Sequence, residues 1–250
     1  MNIKVAWDAF INQLITHKGY IKVLTGLGNT LLIAVIGLAI GILIGTLLAI
    51  TKVNLKNTWN SKLFSRLTDG YVALFRGTPI VVQLLIMYYV LLPLLDMIIG
   101  DSIKINEEVF QFSKIPAVAV AIVAFGLNSA AYVCEIMRSG ILSVDIGQTE
   151  AGRALGLSSS RTMCSIVLPQ AIKNILPTLG NEFIALVKET SVVSFITVVD
   201  LTKAFERIGN ANYEYIIPYL VLALCYLVIV FIFTILVRLL ERRLRASEKR

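Results

Sequence analysis

Four long stretches of this chain carry no charged side chain, and they constrain its fold more than any other feature. They contain 29, 19, 20 and 23 residues and lie, in that order, between Lys22 and Lys52, Arg76 and Asp96, Lys114 and Glu135, and Glu214 and Arg238. A helix of about 20 apolar residues crosses the hydrocarbon core of a bilayer, which is roughly 30 Å thick. The sequence therefore predicts an all-α protein that spans a membrane several times.

The composition agrees with this prediction and excludes several soluble classes. Hydrophobic residues make up 57% of the chain and charged residues 16%, with one histidine, whereas soluble proteins carry about 25% charged residues. The net charge of +7 is spread between apolar stretches, so it favours membrane orientation over nucleic-acid binding. The three cysteines are far apart, so we expect neither a disulfide framework nor a metal site.

We expect one transmembrane domain over residues 21–245, followed by a cytoplasmic tail at 246–250. It would contain five spans, at 23–51, 70–96, 115–138, 174–199 and 214–238. The fourth of these segments is apolar overall but contains Glu182, Lys188 and Glu189. It is either a span with a functional polar stripe or a partly re-entrant helix.

Basic residues in the short loops predict the orientation of the spans. The first loop contains Lys52, Lys56, Lys62 and Arg66, and the tail after the last span is also basic. Short loops rich in Lys and Arg stay in the cytoplasm. With five spans, the N-terminus would lie outside and the C-terminus inside, and the loop at 138–173 would be cytoplasmic.

Residues 1–20 precede the first span and have an amphipathic pattern. Apolar residues such as Trp7 and Phe10 recur at roughly helical spacing among Lys4, Asp8 and other polar residues. The pattern predicts an interfacial helix on the outer surface. A frayed terminal helix without function is the alternative.

The cytoplasmic loop at 147–169 has a more ordered pattern than a simple connector. Thr149 is a potential N-cap, good helix formers follow it, and Gly156 is suited to end the helix in a left-handed turn. A second helical stretch runs from Ser160 toward Pro169. Two short surface helices of this kind suit docking of a soluble partner, although packing alone is an alternative.

The spacing of residues in this loop resembles the EAA loop of ABC importer permeases, the element that docks on the ATP-binding subunit. The matching residues are Glu150, Ala151, Gly152, Gly156, Ile166, Leu168 and Pro169. The family often has a second alanine where this chain has Gly152. Glycine lowers helix propensity by about 1 kcal/mol, which should not abolish docking.

Four further segments resemble signatures of the polar amino acid subfamily of these permeases, so that the resemblance covers roughly residues 20 to 245. They are Arg76–Pro79 with Gln83, Asn128–Gly140, Leu168–Ala171 with Leu176–Pro177 and Asn181–Glu182, and Lys188–Ser191.

The resemblance implies a five-transmembrane-helix type I ABC importer permease fold with a cytoplasmic coupling helix. It also implies a bacterial cytoplasmic membrane, two ATP-binding subunits, a second permease subunit and an extracytoplasmic solute-binding protein. We expect the two permease subunits to form a homodimer, with a pseudo-symmetric heterodimer as the alternative. The sequence contains no G-x-x-x-x-G-K-[ST] motif. We therefore expect no cofactor in this chain, and ATP and Mg bound by the partner ATPase. The residues expected to couple to that ATPase are Glu150, Ala151, Gly152, Leu155, Gly156 and Leu157.

Polar side chains inside predicted spans are candidates for the path of an amino acid, because such groups are costly in a membrane. The candidates are Thr78, Gln83, Asn128, Ser129, Tyr132, Glu135, Glu182 and Glu189. Structural or gating roles are predicted for Arg76, Arg138 and Lys188.

Each of these candidates has a structural alternative. Asn128, Tyr132 and Glu135 share one helix face at spacing i, i+4, i+7. The first two could hydrogen-bond between helices, and Glu135 could pair with Arg138 or Arg76.

Two other functional classes compete with an ATP-driven importer. Intramembrane carboxylates would also suit an ion-coupled secondary amino acid carrier, but such carriers usually contain an internal repeat, which is absent here. An intramembrane enzyme would need a catalytic set that the spans do not contain. The transported amino acid is left open, because acidic residues would suit a cationic one and ion-paired residues a neutral one.

Overall fold

A computed structural model describes residues 3–53, 59–99, 104–105, 108–109 and 111–246. These residues are helical apart from loops and one antiparallel strand pair, β1 (Lys104–Ile105) and β2 (Glu108–Val109). The helices, in chain order, are α1 (Ile3–Ile11), α2 (Gly19–Val53), α3 (Trp59–Gly77), α4 (Ile80–Leu85), α5 (Leu92–Ile99), α6 (Ala117–Leu142), α7 (Ile146–Ala154), α8 (Ser159–Thr162), α9 (Leu168–Glu189), α10 (Leu201–Asn212) and α11 (Ile216–Ala246).

Short turns of other helix types extend several of these helices. Wider π-helical turns follow α1, α4 and α8, at Asn12–Thr16, Ile86–Leu91 and Met163–Val167. Tighter 3₁₀ turns lie at Phe112–Lys114 and, directly after α9, at Thr190–Ile196.

Within the described residues, four helical segments are long and apolar enough to cross a membrane. They are Gly19–Lys52, Ile80–Ile99, Ala117–Leu142 and Ile216–Leu244. The predicted span at 174–199 falls on α9 and the 3₁₀ turn after it. With 22 residues, α9 is about 33 Å long at 1.5 Å per residue, which is long enough to cross a membrane. Its polar residues, and not its length, therefore distinguish it from the four apolar segments.

The predicted span at 70–96 differs most from the structure. Helix α3 ends at Gly77, Pro79 adopts an extended conformation, and a new helix begins at Ile80. Proline lacks the amide hydrogen that a continuous helix would need, and it favours an extended residue before it. The first part of the predicted span therefore belongs to α3. This helix contains the charged residues Lys62, Arg66 and Asp69, which favour a loop when only the sequence is considered.

The chain packs as two compact units. The first unit contains Met1–Gly37, Thr78–Gly126 and Leu186–Val230, and the second contains Leu38–Gly77, Leu127–Ala185 and Phe231–Arg250.

In the first unit, α1 packs against α10. Ala6 and Phe10 of α1 are buried in one cluster with Leu201, Phe205 and Ile208 of α10. The N-terminal helix is therefore anchored by its apolar face and is not a frayed end. The side chains of Ile3, Val5 and Trp7 on the same helix stay exposed.

Asp200 fixes the start of α10. Its carboxylate accepts hydrogen bonds from the backbone N–H groups of Thr202 and Lys203 at 3.0 and 2.8 Å, which is an N-cap. Burial raises the pKa of this carboxyl group, and those N–H groups oppose the rise. The backbone oxygen of Asp200 lies against Gly26 of α2, where a side chain would not fit.

In the second unit, α2 and α6 approach each other through small residues. A Cβ atom on Gly41 would lie 2.7 Å from Ser129 Oγ, and one on Gly45 would lie 2.7 Å from the backbone oxygen of Ala130. Glycine is therefore needed at both positions. This packing agrees with the glycine pattern of a closely packed helix in a membrane.

Candidate functional site

Helix α7 occupies the loop that was expected to dock a partner, and both of its ends are capped. The side chain of Asp145 accepts a hydrogen bond from Gly147 N at 2.7 Å. The N-cap is therefore Asp145, and the sequence-based choice of Thr149 was wrong. An aspartate before the helix satisfies a free N–H group, and Thr149 lies inside the first turns.

The C-terminal end of α7 is a Schellman motif built on Gly156. Gly156 has φ +81°, its N–H donates to Arg153 O, and the N–H of Leu157 donates to Gly152 O. This is the left-handed turn that the sequence predicted at Gly156. The guanidinium group of Arg153 also donates to Leu157 O at 2.9 Å, which closes the turn from outside.

One side of α7 packs on α8 and the start of α9, and the other side is open. Gly152 is buried against Thr162 and Ile166, and Gln170 donates to Gln148 Oε1 at 3.2 Å. Contiguous apolar patches on a surface mark sites that a partner or lipid covers, whereas single exposed apolar side chains are common. The exposed positions on α7 and its C-terminal turn include Ile146 at 74%, Leu155 at 82%, Glu150, Ala151 and Gly156.

Helices α6 and α9 hold the base of α7. Val144, just before α7, packs in a buried cluster with Ala171 and Ile175 of α9. Gly140 of α6 lies directly against Ile175, and Asn174 donates to Ser143 Oγ at 2.9 Å. A force on α7 therefore reaches the ends of α6 and α9 through packed side chains.

Glu135 of α6 lies in a cluster of charges. Its Oε1 atom pairs with Lys52 Nζ at 2.5 Å, and its Oε2 atom pairs with Arg138 Nη2 at 2.9 Å. Lys52 also pairs with Asp69 Oδ1 of α3 at 3.0 Å. The predicted pairing with Arg138 is present, whereas the predicted alternative with Arg76 is not.

Arg76 instead lies over the ring of Tyr132, with its guanidinium carbon 5.2 Å from the ring centroid. This is a cation–π contact between α3 and α6. Sequence reasoning treated Lys52 as a loop cation and did not connect it with Glu135, because 83 residues separate the two.

Ser129 and Glu182, two of the predicted candidates for the path of the amino acid, are in direct contact. Ser129 Oγ, which is fully buried, donates to Glu182 Oε1 at 3.0 Å and joins α6 to α9. The neighbouring Asn128 is only 3% exposed. Two of the predicted candidates are thus in direct contact, and a third is adjacent in sequence.

Thr78 and Gln83 belong to the first unit. Gln83 Nε2 donates to both the backbone oxygen and Oγ1 of Thr78, at 3.0 and 2.9 Å. These bonds close the turn at Pro79, where α4 begins. The two residues therefore support this turn within the first unit.

Lys188 and Glu189 end α9, and Lys188 lines a cavity. A cleft of about 370 Å³ in the first unit is lined by Lys188, Ser191, Thr202, Tyr219, Leu222, Ala223 and Tyr226. Lys188 is exposed and Glu189 is half-buried. The described residues contain no group of three or more His, Cys, Asp and Glu side chains that could hold a metal ion.

Comparisons with known proteins place these features in a family. Residues 41–246 match the family described as "Binding-protein-dependent transport system inner membrane component". The "Arginine transport system permease protein ArtQ" of Bacillus subtilis (strain 168) is 38% identical over 226 residues, which cover 90% of this chain and 94% of that protein.

Solved structures agree with the sequence comparison. A chain from the "Crystal structure of an amino acid ABC transporter with histidines" superposes with a TM-score of 0.78 at 37% identity, covering 92% of this chain and 97% of that chain. A chain of the inward-facing MetNI methionine ABC transporter gives a TM-score of 0.63 at 20% identity, covering 89% and 95%, which supports the fold alone. The fold is that of a type I ABC importer permease.

Proposed function

This chain belongs to the binding-protein-dependent transport system inner membrane components and is a multi-pass permease subunit of an amino acid ABC importer, and we propose that it forms a homodimer that carries polar amino acids inward. In this proposal, two copies of a separate ATP-binding subunit bind ATP and Mg and supply the energy, and an extracytoplasmic solute-binding protein delivers the amino acid. Permease subunits of this family are not themselves ATPases.

The exposed surface of α7 carries the proposal. Ile146 and Leu155 project apolar side chains from a helix that is capped at both ends and fixed at its base to α6 and α9. A rigid helix with exposed apolar side chains at both of its ends suits docking on a soluble partner. We infer that α7 is the coupling helix and that closure of the ATPase pair moves it as one body with the ends of α6 and α9.

The proposed orientation puts this helix in the cytoplasm. Lys52, Lys62 and Arg66 follow the first apolar stretch. Two further crossings separate them from the loop of α7, so that loop would lie on the same side of the membrane as these basic residues. Such basic residues favour the cytoplasmic side. The N-terminus and α1 would then lie outside, and the C-terminus inside.

We infer that the amino acid passes near the contact of Ser129 with Glu182. An amino acid carries an ammonium and a carboxylate group, and Glu182 supplies an acceptor for the first. Both carboxylate oxygens of Glu135 are engaged by Lys52 and Arg138, so we do not assign it a contact with the amino acid. The family match favours the ATP-driven importer over the alternative of an ion-coupled secondary amino acid carrier.

Reconstitution in proteoliposomes tests this function. The chain would be purified with its ATP-binding subunit and given the binding protein with radiolabelled arginine, histidine, glutamine and cystine in turn. We expect uptake only when ATP is present on the side of the membrane that carries the ATP-binding subunit and the binding protein is present on the other side. Uptake by this chain alone, driven by an ion gradient without ATP, would overturn the proposal.

A further inference from the structure

A charged cluster in the second unit joins three helices near the end of α2. Lys52 of α2 contacts Asp69 of α3 at 3.0 Å and Glu135 of α6 at 2.5 Å, and Arg138 contacts the other oxygen of Glu135. The side chain of Lys52 is only 12% exposed, whereas that of Asp69 is 59% exposed. Glu135 is therefore the point at which two cations from different helices meet one carboxylate.

Hydrogen bonds beside the cluster hold α3 in place. Thr51 and Thr68 share a hydrogen bond of 2.8 Å between α2 and α3. Tyr71 donates to the backbone oxygen of Leu127 on α6 at 2.5 Å. The cluster thus sits within a continuous contact between α2, α3 and α6. Removing one charge would leave the remaining, partly buried charges with fewer partners: Glu135 would keep only Arg138, or Lys52 only Asp69.

The same helix α6 carries the base of α7. Between Glu135 and α7 lie Gly140, which packs on Ile175, and Ser143, which accepts a hydrogen bond from Asn174. Because α6 continues from the cluster to this packed base, a displacement of α7 that carries the end of α6 with it also displaces Glu135. The chain offers a direct mechanical connection from α7 to the cluster.

We propose that Glu135 and Lys52 form an ionic joint that transmits the movement of α7 to α2 and α3. Glu135 is a positioning residue in this proposal and does not contact the amino acid. The joint rests on the proposed function of α7 as the coupling helix. It explains why a carboxylate in a predicted span is fully engaged by two cations.

A double-mutant cycle on the complete complex tests the joint. The variants are Glu135→Gln, Lys52→Met and the double variant, in proteoliposomes with the ATP-binding subunit and the binding protein. The readout is the amount of amino acid taken up per ATP hydrolysed, which a merely structural defect in yield does not alter. We expect each single variant to lower this ratio by about tenfold while basal ATP hydrolysis continues, and the double variant to lose no more than the worse single variant.

Two further variants keep the test decisive if a neutralised complex fails to assemble. Lys52→Arg preserves the charge and should keep the ratio near that of the wild type. Asp69→Asn weakens the cluster from its exposed side and should lower the ratio about two- to fivefold. An assembled Asp69→Asn complex with an unchanged ratio would overturn the joint.

A matched control is the pair of Lys203 with Glu206, which are 2.7 Å apart on α10. Glu206→Gln removes a comparable ion pair within a single helix of the first unit, so the ratio should not change. Unchanged ratios in Glu135→Gln and Lys52→Met, or losses that multiply in the double variant, contradict the joint. A wild-type complex without ATP-dependent uptake would instead contradict the proposed function, whatever the variants do.

Discussion

The methyl group of Thr162 fills the space that a side chain at position 152 would need. A Cβ atom on Gly152 would lie 2.8 Å from Thr162 Cγ2 and 3.0 Å from Ile166 Cδ1. This contact explains why position 152 holds glycine: the methyl carbon of Thr162 already occupies the space of a side chain there.

We predict that Gly152→Ala destabilises the loop of α7 although alanine is the better helix former. Overpacking against a buried side chain costs about 1–3 kcal/mol, which outweighs the gain in helix propensity of about 1 kcal/mol. Thermal unfolding of the purified complex measures the loss. Adding Thr162→Ser removes the methyl group and should restore stability, and no restoration would show that the clash is not the cause.

Substitution of Gly156 by alanine tests the C-terminal cap of α7 without introducing a steric clash. No atom lies within 4 Å of a Cβ placed there, so Gly156→Ala affects only the left-handed backbone, at about 1–2 kcal/mol. We expect this variant to weaken binding of the ATP-binding subunit by up to about tenfold. Gly156→Asn should lose less, because asparagine tolerates this conformation. Equal losses in the two variants would argue against the cap.

Leu155 tests the exposed surface of α7. Its side chain is 82% exposed, so Leu155→Ser should leave the stability of the chain unchanged and weaken binding of the ATP-binding subunit by about 1–2 kcal/mol. Titration of detergent-solubilised permease with the ATPase measures this affinity. Leu142→Ser removes a similarly exposed leucine at the end of α6 and serves as the control. Equal effects of both changes would contradict specific docking through Leu155.

Ser129 tests the proposed path of the amino acid. Ser129→Ala removes a hydrogen bond to a carboxylate, which contributes about 1.5–3 kcal/mol, so uptake should fall about tenfold or more. Affinity of the binding protein for the amino acid should not change, because that site is on another chain. Ser139→Ala is the control, since Ser139 is exposed on the same helix and donates only to the backbone of Ile136 in the structure described. Equal uptake by wild type and Ser129→Ala would remove this contact from the path.

The sequence was sufficient for features that depend on local composition. Uncharged runs predict α2, α6 and α11, because a long apolar stretch has few stable alternatives to a helix in a membrane. The φ of Gly156 was likewise predictable, since a glycine after a run of helix formers commonly ends the helix. The spacing around Glu150 led to the family that the comparisons confirm.

Features that depend on distant contacts were not predictable. Lys52 and Glu135 approach each other only after α2 and α6 pack, and nothing local marks them as partners. The clash between Gly152 and Thr162 also requires the folded loop. Helix α10 escaped prediction because its mixture of Lys203, Glu206 and apolar residues is short and lies between two predicted spans.

The close approach of α2 and α6 at Gly41 and Gly45 limits how the second unit can move. Helices separated by a layer of long side chains can roll and tilt as those side chains change rotamer. Here the spacing is set by the short side chain of Ser129 and by a backbone oxygen, and a rotamer change of so short a side chain alters the spacing little. These parts of α2 and α6 therefore move together as one rigid body. Fewer parts of the chain than its number of helices can then move independently during transport.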